Sequence, residues 1–235
     1  MSFFNVNLVL LEGFGISCLL FCCTLLLAIP LGLFFSFCSM SRFSAIKVPT
    51  KIFIWIIRGI PLMLFIFIIY YLPGLLGIPL NVFDLLDRRI TLAAGSEELL
   101  WQGRFLAVLV AFVINYACYF SEIFSGGIES IPKGQYEAGQ VLGLTRGQIF
   151  FRIILKQVIK RIVPATSNEI ITLVKDTALA NVIAIPEIIR CAKDLATQQA
   201  VVWPIFYTAV FYLLFVGVLT LLFGKVEKKL SYFKA

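Results

Sequence analysis

Three long stretches without a charged residue limit what this chain can fold into. Residues 13–41, 59–83 and 195–224 contain no Asp, Glu, Lys or Arg. Each exceeds the roughly 20 residues with which a helix crosses the hydrocarbon core of a bilayer. No water is available there, so a spanning segment must satisfy its own backbone N–H and C=O groups. The runs are continuously apolar, whereas a barrel strand alternates over about ten residues, so the spans are helical. The composition agrees: 60% hydrophobic, 14% charged, mean hydropathy +0.98. The sequence predicts an all-α integral membrane protein with residues 1–235 forming one transmembrane domain. No cationic stretch precedes the first apolar run, and the first charge is Glu12, so that run is read as a retained span.

Five spans are expected, at about 13–40, 57–80, 104–124, 162–186 and 200–224. The charges fix a sidedness for them. Arg42, Lys47 and Lys51 lie in the first connection without any acid. The loop 126–161 carries six basic residues against two acids, and the tail carries Lys225, Lys228, Lys229 and Lys234 against Glu227. The segment 81–104 is acidic by comparison, with Asp84, Asp87, Glu97 and Glu98. Thirteen of the twenty basic residues thus share one side. The positive-inside rule then places the amino terminus outside and the carboxyl terminus in the cytoplasm, as expected for a multi-pass protein of a bacterial inner or plasma membrane. An odd number of spans satisfies that arrangement. The net charge of +7 therefore reads as topology and not as a nucleic-acid footprint.

Several chemistries are excluded. The chain has no histidine, and five of its six cysteines sit in apolar runs without a CxxC pair. They read as small packing residues rather than metal ligands or a disulfide framework. No GxxxxGK followed by Ser or Thr is present, so the chain has no phosphate cradle for ATP.

The stretch GQYEAGQVLGLTRGQ, residues 134–148, is small, polar and glycine-rich inside an otherwise apolar chain. Pro132 is suited to open a helix and Gly143 to end one in a left-handed cap. Thr145 with Gln148 makes a capping-box pattern for a second helix. A helix–turn–helix in a cytoplasmic loop is expected, with Ala138, Gly139 and Gly143 keeping one surface low for a partner backbone. On the residues alone, an ordinary amphipathic helix lying on the membrane surface is equally open.

This stretch, continued through IFFRIILKQV, resembles the EAA loop of ATP-binding-cassette (ABC) importer permeases. Glu137, Ala138 and Gly143 match that motif. Gly139 replaces its second alanine, and Lys156 stands where proline is usual before Gln157. RGIPLMLFIFIIYYLP (58–73), SEIFSGGIESIPKGQ (121–135) and NEIITLVKDTALANVIAIPEI (168–188) are similar, in order, to segments of the polar amino acid branch. The resemblance implies the type I importer fold of five transmembrane helices with a cytoplasmic coupling helix. Gln135, Glu137, Ala138, Gly139 and Gly143 would dock into a cleft of a nucleotide-binding subunit. It further implies a homodimer or a sister permease, two separate ATPase subunits holding ATP and Mg, and an extracytoplasmic solute-binding protein. No cofactor would reside in this chain.

Polar groups inside the spans are expensive in lipid and point to function. Ala165, Glu169, Thr172 and Asp176 recur 4, 3 and 4 residues apart, one stripe of the fourth span, with Asn168 and Lys175 flanking it. Arg58 opens the second span beside Gly59 and Pro61, residues able to break a helix and free backbone groups. Glu122 ends the third. An amino acid offers an ammonium and a carboxylate. Glu169 suits the former or a cationic side chain, and the Arg58 fork suits the latter. Glu169, Asn168, Thr172, Asp176, Arg58 and Glu122 are the candidate substrate-binding residues; pairing of Lys175 and Asp176 with other spans is the structural alternative. The function expected is translocation of a polar or charged amino acid into the cytoplasm. An ion-gradient-driven secondary transporter or channel is the alternative, since Glu169, Lys175 and Asp176 would also serve as ion sites. A membrane enzyme lacks the positioned acid, base or nucleophile it would need.

Overall fold

The computed structural model describes residues 3–76 and 102–230. The connection around 81–101, the end of the expected second span and Lys234 lie outside them. The described chain is helical throughout. Its elements are α1 (Phe3–Ser39), α2 (Ser44–Gly59), α3 (Leu62–Leu75), α4 (Gln102–Glu129), α5 (Lys133–Val141), α6 (Arg146–Ile149), a π-helical turn (Phe150–Ile154), α7 (Leu155–Asp176), a 3-10 segment (Thr177–Ile183), α8 (Ile188–Gln199) and α9 (Trp203–Leu230).

Among the described residues, α1, α4 and α9 are each long and apolar enough to cross a bilayer, and α2 with α3, bent by 106° at a short break, are together apolar enough to count as a fourth if taken as one broken span. The bend has a local cause. Pro61 disfavours helical backbone at the residue before it, and Ile60 is extended at φ −94°, ψ 130°. The fourth expected span is divided. α7 carries it to Asp176, the 3-10 segment continues it, and Ala184 ends it in left-handed backbone at φ 61°. α7 is less apolar than the other spans because Lys156, Lys160, Arg161, Glu169, Lys175 and Asp176 interrupt it.

α4 is the centre of the bundle. Val108, Ala111, Phe112, Tyr116, Ala117 and Phe120 are all buried. α1 lies along it through a face of small residues: Thr24, Ala28, Gly32 and Ser36 are buried at every fourth position. A Cβ on Gly32 would stand 2.8 Å from the Phe120 Cβ and 2.9 Å from the Ala117 carbonyl oxygen. The two backbones are in contact there. α9, by contrast, turns most of its apolar surface outward, with Phe206, Leu213, Leu214 and Leu221 exposed. That is the pattern of a lipid-facing helix.

A second cluster joins Val6 and Leu10 of α1 to Ile188, Ala192 and Leu195 of α8. Glu187 sits at this junction, fully buried, and accepts hydrogen bonds from the backbone N–H groups of Ile189 (2.9 Å) and Arg190 (2.7 Å). It is the N-cap of α8. Burial pushes its carboxyl up to about 7, against the opposing pull of those two N–H groups and of Lys193.

Candidate functional site

A cavity of about 610 Å³ opens where the bend between α2 and α3 meets α4 and α7. Arg58, Gly59, Ile60, Pro61 and Leu62 form one wall. Asn115, Tyr116 and Tyr119 of α4 form the second, and Glu169, Thr172, Asp176 and Leu179 the third. Because α7 is a regular helix here, the 3- and 4-residue spacings bring its three polar residues onto one face. Ile170, Leu173 and Val174, beside and behind that stripe, are buried in the core.

The polar groups are held in place. The Tyr116 hydroxyl donates to Asp176 Oδ2 at 2.7 Å. Arg58 Nη1 lies 3.5 Å from Glu122 Oε2, and its guanidinium stands 5.0 Å from the centre of the Tyr119 ring. The Thr172 hydroxyl donates to the Asn168 carbonyl at 3.0 Å, which ties it to its own helix. The site thus presents carboxylates on one wall and a guanidinium on another, with tyrosine rings between. Such an arrangement sets opposite charges on facing walls, complementary to the two charged groups of a small zwitterion.

Four of the six expected residues line the cavity: Arg58, Glu169, Thr172 and Asp176. Asn168 does not; it lies exposed on the flank of α7. Glu122 also stands outside, behind Arg58. Asn115, Tyr116 and Tyr119 were not anticipated. With Glu122 they recur along α4 at helical spacing, a stripe of the same kind as that on α7.

The loop 126–161 forms the expected helix–turn–helix. Gly143 is left-handed at φ 72°. Thr145 and Gln148 form the reciprocal capping box, with bonds of 3.3 and 2.9 Å. One expectation differs. Gly139 is buried, and a Cβ there would lie 2.7 Å from Ile149 Cγ1. Its smallness lets α5 close on α6 instead of leaving an outer surface low. The outward residues are Gln135, Glu137, Ala138 and Gly143, beside Val141 and Leu142, which are 89% and 75% exposed. An apolar pair this exposed beside a turn suits a docking contact.

Comparison with known proteins adds to this geometry. Residues 28–232 match the family model of the binding-protein-dependent transport system inner membrane component. The chain is 31% identical over 224 residues to the arginine transport system permease protein ArtQ of Bacillus subtilis, covering 94% of this chain and 92% of that one. It is 34% identical over 227 residues to the arginine ABC transporter permease protein ArtM of Haemophilus influenzae, covering 96% and 94%. It is 31% identical over 169 residues to the L-cystine transport system permease protein TcyB of Bacillus subtilis, covering 72% and 63%. Among solved structures, an amino acid ABC transporter crystallised with histidines matches with a TM-score of 0.81 at 26% identity, covering 97% of both chains.

Proposed function

The chain belongs to the family of binding-protein-dependent transport system inner membrane components, and on that footing we propose how its cavity and its loop divide the work of moving an amino acid. It is an integral membrane protein, the permease subunit of an amino acid ABC importer and not an enzyme. ATP hydrolysis belongs to separate ATPase subunits.

The observation that carries the reading is the cavity with Arg58 on one wall and Glu169 and Asp176 on another. In our reading Arg58 takes the substrate carboxylate through its planar fork, and Glu169 takes the ammonium. Glu122, outside the cavity lining, and Tyr119, within it, orient Arg58. Thr172 shapes the wall beside Glu169, and the Asn168 carbonyl holds the Thr172 hydroxyl from outside the cavity. The helix break at Ile60–Pro61 leaves backbone groups at the cavity, where irregular backbone is tolerated because it lines a polar space.

The loop is read as the joint to the ATPase. Gln135, Glu137, Ala138 and Gly143, with the exposed Val141 and Leu142, would seat in a groove of that subunit, while Gly139 locks α5 to α6 behind them. ATP and Mg would be held by the ATPase pair. A homodimer, or a pairing with a sister permease, would complete the pathway, and a solute-binding protein would deliver substrate to the outer face. The amino terminus would lie outside and the carboxyl terminus in the cytoplasm.

The test is a mild-detergent purification of the tagged chain from its host, with mass spectrometry and ATPase assay of the eluate. We expect a co-purifying P-loop ATPase that is lost on Gly143→Arg. A stable chain without an ATPase would overturn the joint assignment.

A further inference from the structure

Resting on the reading of the loop as the joint to an ATPase, we propose that Gln157 and Arg161 of α7 are positioning residues that fasten this joint to α7. They make the first turns of α7 move with the α4–α5 corner, so that a stroke on α5 is passed to α7 in a fixed direction.

Along the chain, α5 reaches α7 only through the left-handed turn at Gly143, α6 and the π-helical turn. Two side-chain bonds bypass that route. The Gln157 amide donates to Gln135 Oε1 at 3.0 Å, across 22 residues, and Gln135 stands in the first turn of α5. One turn further along α7, the Arg161 guanidinium donates to the main-chain carbonyl of Ser130, the residue that follows α4. Carbonyls at a helix end lack a partner within the helix and carry the negative end of its dipole, so a guanidinium suits that place. Spaced by four, Gln157 and Arg161 share one face of α7. That face holds the corner at two points, the end of α4 and the start of α5.

Apolar packing closes the corner beneath them. Ile131, which lies between the two bonded positions, is buried in a cluster with Ile154 and Val158. A Cβ on Gly127 would collide with Ile162 Cγ2, so the end of α4 lies directly on α7. Apolar contact is non-directional and would let such a corner swivel. Hydrogen bonds have a preferred direction, and two of them fix its angle. Gln135 and Arg161 are exposed, and a bond that water can replace adds little to stability. The two bonds therefore supply orientation, while the buried isoleucines hold the fold. α7 continues from them to the cavity. Glu169 lies eight residues beyond Arg161, about 12 Å along the axis. Pro164 removes one backbone bond between them, and the helix runs through it unbroken.

The experiment uses the permease–ATPase complex, purified from its host and reconstituted in proteoliposomes with its solute-binding protein. The probe is a radiolabelled mixture of the common amino acids, and uptake is counted per ATP hydrolysed. Gln157→Met and Arg161→Met keep an unbranched side chain and remove the donor. We expect each variant to retain the ATPase on purification and to hydrolyse ATP within two-fold of the wild type. Uptake per ATP should fall at least five-fold in each. Arg161→Lys still donates to a carbonyl, and Gln157→Glu still accepts from the Gln135 amide once that amide turns over. Both should keep more than half of the wild-type ratio. Wild-type uptake per ATP in the double variant Gln157→Met, Arg161→Met overturns the inference and leaves the joint reading intact. An equal fall in the conservative variants overturns it too, because the bonds would then not be what matters. Loss of the ATPase on purification would make the two residues docking contacts and overturn the positioning role. A wild-type chain that purifies without any ATPase removes the joint reading and this inference with it.

Discussion

The Tyr116 hydroxyl and the Asp176 carboxylate meet at 2.7 Å across the α4–α7 interface, sixty residues apart in the chain. Tyr116 is 1% exposed, and its ring packs between Phe112 and Phe120. One side of the pair is therefore rigid. The carboxylate it holds is the polar group of α7 nearest the helix end, just before the 3-10 segment begins.

Removing only that hydroxyl tests the pair. Tyr116→Phe keeps the ring and its packing, so the protein should fold. A hydrogen bond to a charged group contributes about 1.5–3 kcal/mol. We expect a several-fold rise in the KM for amino acid uptake in reconstituted proteoliposomes. A wild-type KM in the variant would assign the bond to folding alone.

Glu169→Gln keeps the size of the side chain and removes its charge. We expect the KM for amino acid uptake in reconstituted proteoliposomes to rise at least ten-fold, a loss of about 1.4 kcal/mol or more in substrate interaction. Uptake with wild-type KM and rate would remove Glu169 from the site.

Gly143 is left-handed at φ 72°, and no atom lies within 4 Å of an added Cβ. Any effect of a small substitution is then backbone strain and not crowding. Gly143→Ala should destabilise the loop by about 1–2 kcal/mol, and Gly143→Asn by less, because Asn tolerates that region. Stimulated ATPase activity of the complex should fall in the same order. Equal loss with both residues would point to contact with the partner instead.

Glu187 gives a pH dependence. Its carboxyl titrates near 4.5 when exposed and is pushed up to about 7 by burial. Between those values the folded chain holds a proton that the unfolded chain has released, so stability falls as pH rises through that window. The full loss is on the order of 3 kcal/mol. The melting temperature should drop from pH 5 to pH 8 and change little above. Glu187→Gln keeps an oxygen for the α8 N–H groups and should flatten the curve. A wild-type profile already flat over that range would show that the carboxylate stays ionised in the fold.

The parts of this structure that were legible in the sequence are those in which one signal acts alone. The stripe Glu169, Thr172, Asp176 stands out because charges interrupt an apolar run at helical spacing. The Pro61 break and the capping box of Thr145 and Gln148 are backbone chemistry of single residues. Tyr116 and Tyr119 do not stand out because tyrosine counts with the hydrophobic residues, although the Tyr116 hydroxyl bonds Asp176 at the cavity, and Asn115 does not because one uncharged polar residue barely interrupts an apolar run. Gly139 was assigned to the wrong side of its helix. A lone glycine says that something comes close, and only the fold says that it is Ile149.

The contact of Gly32 with Ala117 and Phe120 has a mechanical consequence. Two helices whose backbones touch cannot shear past one another without lifting apart, so α1 and α4 behave as one beam. Compliance must then reside at its attachments. The bend at Ile60–Pro61 and the turn from Asp176 to Ala184 flank the cavity on either side and interrupt helical backbone. A displacement delivered to the end of the beam at Glu129, where the loop begins, would arrive undiminished beside Tyr116 and be taken up at those two joints.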